Sequence, residues 1–576
     1  MRDLYRCLDE YPSELLQAIA DTWHIALPKG EPREVASYLA AAMLAPQALE
    51  DLLYTLSPGA REALAVFVGE GGALPGHRLA VRYGNIRRLG PARIAREQPW
   101  VQPENALEEL YYKGIIYRAY GAVGDYYGEV FLVPQQLLER LVELQVAAPA
   151  LEVRISDAPA RSVGDGLALT EDLFAMLVHA RQGHLQATKH EQGPRSGMMA
   201  PRPSGLGARL SGENHPERLA LLWRLLVRLR LVNESRGLLH PTLRAREWLQ
   251  LSEQRRLQSM VLAWRDDPRW DELHLLGSLR CEQWQDNPVN ARRALLQVLA
   301  DCPQGMWLSL DSFIAALKRR RPDYLRPDGD YSSWDVRDAQ NGAALIGFGA
   351  WDPIEGEMAR HIVAFSLRWL GVTEVGYSDS GLQPTVFRIA ERARESLVAS
   401  ATPAQEAGAD AECSTFRVAP PPMVLATVND DFTMTIPLVG SLYERYQLER
   451  FSEWQAQDTV ATYRITAESI WESQNAGIKI EQILAFLKRI SQDQVAPVVA
   501  RTLQAWGGRF GRVTLRRTVL LQTVDEHTMQ QLTSRPEIRA LLGRILSPTM
   551  CLVDQEKVEE LTGRLKALGI WPRIKT

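Results

Sequence analysis

Two runs of arginine without neighbouring acid are the residues in this chain whose types and spacing best suit chemistry, and that chemistry is recognition of a polyanion. Between Gln494 and Val524 lie Arg501, Arg509, Arg512, Arg516 and Arg517 and no aspartate or glutamate. Between Gly71 and Arg96 lie Arg78, Arg82, Arg87, Arg88, Arg93 and Arg96, again with no acid. Guanidinium groups bind phosphate oxygens with a planar fork of donors, and a basic patch within a net-acidic chain marks a surface facing a polyanion. The competing reading is that these arginines pair with carboxylates from elsewhere in the fold, or form an ordinary solvated face.

The chemistry of a motor or a hydrolase is not legible. No Gly-Lys dipeptide occurs, so the phosphate-cradling loop G-x-x-x-x-G-K-[ST] is missing. VDEH (Val524–His527) has the letters of an ATPase acidic box, but without that loop it reads as a strand end and a turn. His179, His184 and His190 have no acidic or cysteine companion at a zinc interval. GYSDSG (Gly376–Gly381) is not a G-x-S-x-G elbow, and Gly347-Phe-Gly349 lacks the third glycine of a dinucleotide fingerprint. Asp328, Asp330 and Asp335 are out of order for a calcium loop and read as a turn. Five cysteines (Cys7, Cys281, Cys302, Cys413, Cys551) are odd in number and widely spaced, which points to a reducing compartment. The expectation is a protein with no catalytic residues, no metal and no cofactor, its tryptophans serving mainly as packing.

At 576 residues the chain calls for roughly four domains. Its 46% hydrophobic and 24% charged content is that of a globular protein. A formal charge of −4 excludes a general nucleic-acid coat, so any such contact must be local. MRDLYRCLDEYP lacks the apolar core of a signal peptide and no run approaches a membrane span, so a cytoplasmic location without membrane contact is expected.

The elements that must position the arginines follow from periodicity and caps. Val424–Leu438 alternates as a strand pair. Thr466 caps a helix over Ala467–Asn475 that Gly477 stops, and Ile480, Ile483, Leu484 and Leu487 mark a second helix. Pro497 opens a third, whose Val499, Leu503 and Trp506 share a face before Gly507-Gly508, and Val513–Leu521 reads as a strand. Upstream, a helix over Ala60–Val68, one over Pro103–Lys113 and two strands, Ile115–Tyr120 and Glu129–Pro134, outline a winged helix. Thr170 is read as the cap of a helix through EDLFAMLVHA, a helix spans Glu217–Val232 with Arg218, Arg224, Arg228 and Arg230, and a long helix lies near Met358–Leu370. The tail offers two helices, Arg535–Leu546 and Gln555–Leu568. The fold class expected is mainly α with small β elements: tandem winged-helix-like units followed by a C-terminal α/β module. The divisions are 1–56 helical, 57–150 winged-helix-like, 151–280 helical with a mobile loop at 190–216, 281–398 winged-helix-like or helical, 399–422 linker, and 423–576 the α/β module with a helical tail.

In series, LHPTLRAREWL, VLAWRDDPRWDEL, Trp307 with Ser309 ahead of Phe387-Arg388-Ile389, and YRITAESIWESQNAGIKIEQILAFLKRIS (Tyr463–Ser491) form a recognisable order. It resembles the prokaryotic helicase-associated proteins whose C-terminal part matches the N-terminal, damage-recognition-like region of XPB-type repair helicases. The resemblance implies winged-helix-like units before an α/β module, and a part in DNA repair or transcription without the ATPase motor.

Two functions are therefore expected. One is a non-catalytic DNA-binding accessory protein using Arg78, Arg82, Arg87, Arg88, Arg501, Arg509, Arg512, Arg516 and Arg517 on duplex, junction or single-stranded DNA. The other is an interaction scaffold that positions a separate XPB-like helicase or repair protein without touching DNA. An enzyme of unrecognised type is the third possibility, because residues distant in sequence can converge on a site.

Overall fold

The computed structural model describes residues 3–123, 126–144, 146, 151–186, 206–283, 287–326, 329–378, 381–401, 426–438, 442–514 and 518–574. About half the chain is helical and its sheets are small and antiparallel. It divides into two compact units, one of residues 1–424 with 438–447, the other of residues 425–437 with 448–576.

One topology recurs three times in the first unit. In its first copy Ser57 accepts from the Ala60 N–H at 3.2 Å and so starts the helix Pro58–Gly69. A short strand, Ala73–Pro75, follows, then the helices Gly76–Tyr83, Pro91–Glu97 and Ala106–Tyr112, and a hairpin of Tyr117–Val123 with Tyr126–Leu132. The short strand pairs with the second hairpin strand, Ala73 opposite Leu132 and Pro75 opposite Val130. In the second copy, Ala168–Arg181 leads to a bridge between Gln186 and Leu238, the helix Pro216–Arg228, and the hairpin Val232–Ser235 with Leu238–Pro241. In the third, Pro288–Ala300 precedes Leu308–Ser309, the helix Leu310–Arg320, a helical run from Asp352–Gly356 to Leu367–Trp369, and the hairpin Thr373–Tyr377 with Pro384–Ile389. Ser309 again pairs with the last strand, opposite Val386. Two apolar cores result. One joins the N-terminal helices to the first copy, from Leu4 to Leu141; the other joins the second and third copies, from Leu169 to Leu397 with Leu442.

The second unit opens with a four-stranded sheet in the order Thr427–Val428, Thr433–Pro437, Val460–Arg464, Glu453–Gln457. Thr466 and Ser469 form a reciprocal capping box at Ala467–Asn475, and Gly477 ends that helix at φ +89°. Ile480–Ile490 and Pro497–Gly507 follow, burying Ile483, Leu487, Val499 and Leu503. A three-stranded sheet comes next, Thr518–Gln522 beside Met550–Asp554 beside Ile545–Ser547, with the helices Glu526–Thr533 and Val558–Ala567.

Several elements differ from the sequence reading. Thr170 lies inside its helix rather than at its cap, because the turn forms earlier, with the Ala168 N–H donating to the Asp165 carbonyl at 2.8 Å. The helix at Glu217 stops at Arg228, since Arg230 turns to φ +55° and Val232 enters a strand. Of Arg535–Leu546 only Pro536–Arg539 is α-helical, because the Gly543 N–H donates to the Leu552 carbonyl at 2.8 Å and draws the chain into the sheet. The first hairpin's strands continue to Val123 and resume at Tyr126, so its turn is tighter than Gly121–Gly128. Most of the 190–216 and 399–422 segments lies outside the described residues.

Candidate nucleic-acid interface

The two arginine runs meet different fates. In the first unit the acid-free stretch is matched by carboxylates folded back onto it. Arg87 donates through Nε and Nη2 to the two oxygens of Glu108, both at 2.8 Å, and through Nη1 to Glu104 at 2.9 Å. Glu108 is fully buried, and its oxygens also accept from the backbone N–H groups of Glu104 and Arg87. Burial alone would push this carboxyl up; the Arg87 guanidinium and those two N–H donors outweigh it and hold the group below its ordinary value. Arg78 pairs with Asp323, a residue of the third copy, its Nη2 donating at 3.2 Å. Arg82 pairs with Glu62. Arg88 differs: its side chain is 82% exposed, with Glu129 4.0 Å away.

The helices that would enter a groove are committed too. In each copy the last helix before the hairpin faces inward. Leu107, Leu110 and Tyr112 of Ala106–Tyr112 are buried, as are Arg218, Leu222 and Trp223 of Pro216–Arg228 and Met358, Leu367 and Trp369 of the long run. The charges inside are matched: Arg218 lies between Asp165 and Asp172, at 2.7 and 2.5 Å. Burial raises both carboxyls above their ordinary value against the pull of that guanidinium. Arg292 likewise closes on Glu272 at 3.1 Å.

The second unit keeps its arginines outward. Arg501 stands on the exposed side of Pro497–Gly507, opposite Val499 and Leu503, with its Nε on the Pro497 carbonyl at 3.2 Å. Arg512 reaches only the Gly508 carbonyl, at 3.3 Å, and Arg509 is exposed in the turn between them. Among the described residues none of these three makes an ion pair; Arg516 and Arg517 lie outside the described residues. Trp506 packs its ring 5.0 Å from that of Phe432, in the turn just before the strand Thr433–Pro437.

A cleft of about 570 Å³ lies in the first unit between Leu310–Arg320 and the long helical run. Four of the charges lining it are paired, Lys318 with Asp352 at 2.7 Å and Arg360 with Asp311 at 2.6 Å. Asp525, of the VDEH string, is a helix cap accepting from the Thr528 N–H at 2.8 Å. Among the described residues no group of three or more His, Cys, Asp or Glu is gathered as for a metal, and no helix is long and apolar enough to cross a membrane.

Residues 426–547 match the family described as "Helicase conserved C-terminal domain". The match covers less than a quarter of the chain, and it runs from the first sheet of the second unit through Arg501, Arg509 and Arg512 to the strand Ile545–Ser547. That segment is thereby helicase-related. No curated protein matches the chain.

Proposed function

We propose that this chain is a non-catalytic DNA-binding accessory protein, and that its phosphate-contacting surface is the face of the second unit bearing Arg501, Arg509 and Arg512. The observation that carries this reading is a contrast: Arg78, Arg82 and Arg87 are held by carboxylates, whereas Arg501, Arg509 and Arg512 are exposed and make no ion pair among the described residues, and these three lie within the segment that matches the helicase family. The reading counts Arg516 and Arg517, the next arginines in the sequence, among the DNA contacts, although both lie outside the described residues. The recurring order of helix, short strand, helices and hairpin, with the short strand paired to the last, supports winged-helix-like units in the first unit. In this reading the chain resembles the damage-recognition-like region of XPB-type helicases, acts in the cytoplasm in DNA repair or transcription, and leaves ATP hydrolysis to a separate protein.

The test is fluorescence anisotropy of the full chain with labelled duplex, bubble and single-stranded DNA across a salt series. Each phosphate contact should contribute about 0.9 to the slope of log affinity against log salt on duplex. Absence of binding to all three at low salt removes the reading.

A second reading has its own observation. The buried last helices and the carboxylate-paired Arg78, Arg82 and Arg87 support reading residues 1–424 as a scaffold rather than a groove reader. On this view the first unit positions a partner such as an XPB-like motor. Affinity purification that returns only the bait would count against it.

A further inference from the structure

The hairpin of the first copy carries two tyrosines that its core does not use. Tyr117, Val130 and Phe131 are buried at its base, whereas Tyr120 is 70% and Tyr127 71% exposed. Their rings stand edge to face, centroids 5.3 Å apart at 89°, so each keeps aromatic surface open to solvent. The register puts both on one side of the ribbon: Arg118 opposite Phe131, Tyr120 opposite Glu129, Ala122 opposite Tyr127. A lone exposed aromatic needs no explanation, but two in contact on one hairpin make a patch.

The charges around that patch favour an anionic, aromatic ligand. Glu129 is shared by two arginines, Arg118 at 3.1 Å and Arg88 at 4.0 Å, so that beside the rings, among the described residues, one carboxylate faces two guanidinium groups. Arg118 is braced over the rings of Tyr111 and Phe131. Arg88 has a side chain 82% exposed, so its guanidinium is open to solvent. Meanwhile the last helix of this copy, Ala106–Tyr112, is covered, with the Trp23 indole donating to the Lys113 carbonyl at 2.7 Å just beyond its end. The hairpin, unlike that helix, is open to solvent at Tyr120 and Tyr127.

We propose that Tyr120 and Tyr127 form a stacking platform for unpaired nucleobases, with Arg88 contacting the adjoining phosphate. This rests on the DNA-binding reading and adds to it a preferred form, single-stranded or bubble DNA, and a second contact point. Bases stack on aromatic rings without sequence preference, because every base has a π-face, and removal of such a ring weakens binding measurably.

The experiment compares the full chain with the double variants Tyr120→Ala/Tyr127→Ala and Tyr120→Phe/Tyr127→Phe, by anisotropy on a labelled oligothymidine and on a labelled duplex. The alanine pair should lose roughly 5- to 100-fold in affinity for the oligothymidine and keep its duplex affinity. The phenylalanine pair should match the unaltered chain on both, and thermal melting should be unchanged for both variants. Unchanged oligothymidine binding by a folded alanine pair overturns the proposal, as does an equal loss on duplex. Loss of a co-purifying protein with oligothymidine binding intact would reassign the hairpin to protein docking. Failure of the unaltered chain to bind any DNA would instead bring down the DNA-binding reading itself.

Discussion

Replacing Arg87 by methionine separates a phosphate-contacting arginine from a structural one. The side chain gives two charge-assisted hydrogen bonds of 2.8 Å to Glu108, which is fully buried, and one of 2.9 Å to the exposed Glu104. Bonds to charged groups contribute about 1.5–3 kcal/mol each, and breaking a buried pair from one side costs about 3–5 kcal/mol. Glu108 would retain the Glu104 and Arg87 backbone donors, which places the loss near 3 kcal/mol. The exposed Glu104 contact adds under about 1 kcal/mol. For a core of this size that is a fall of roughly 6–12 °C in the transition of the N-terminal region, read by scanning calorimetry of the full chain. Arg88→Met, exposed and loosely paired, should shift it by less than about 0.5 kcal/mol. The pH dependence has a definite sign. Because the folded Glu108 carboxyl sits below its ordinary value, its stabilisation is present above the unfolded pKa and is lost as pH falls through the folded one. Arg87→Met should flatten that acid-side loss. An unchanged transition with weakened DNA binding would refute the reasoning and restore Arg87 to the interface.

Two further outcomes follow from buried and capping groups. Glu355 is raised to about 7 by burial, only partly offset by Arg326 at 2.6 Å, so its contribution is full below the unfolded pKa and drains away as pH rises toward 7. Glu355→Gln should remove that slope from melting curves taken between pH 5 and 8, and an identical slope in the variant would contradict the assignment. Thr466→Ala breaks the capping box of Ala467–Asn475 and should cost about 1 kcal/mol by urea unfolding of the second unit; no change in midpoint would show the cap to be idle.

Helices with strong local punctuation were readable from the sequence. Thr466 with Gly477, and Pro497 with Gly507-Gly508, bounded the observed helices because caps and the φ of proline and glycine are local physics. The hairpin Glu453–Gln457 with Val460–Arg464 was missed, since its outward residues are polar and little beyond Trp454, Ala461 and Tyr463 alternates inward. The arginine runs show the deeper limit. Counting charges along a window cannot see Glu62 and Glu108 folding back from either side of Arg82 and Arg87, nor Asp323 meeting Arg78 across 245 residues. Nor was the tyrosine pair legible, because Tyr120 read as a strand end and Tyr127 as part of the turn, and only the observed register puts them on one side. That Arg501 faces away from the core follows from the Pro497–Gly507 periodicity, which assigns Val499 and Leu503 to the core; Arg509 and Arg512 lie beyond that helix, where periodicity gives no direction.

The most direct measurement is the salt dependence of duplex binding for the unaltered chain beside the triple variant Arg501→Glu/Arg509→Glu/Arg512→Glu. Three lost phosphate contacts should flatten the slope of log affinity against log salt by about 2.7, with the melting temperature held. A folded triple variant that keeps the full slope and affinity would place the phosphate contacts elsewhere and contradict the account.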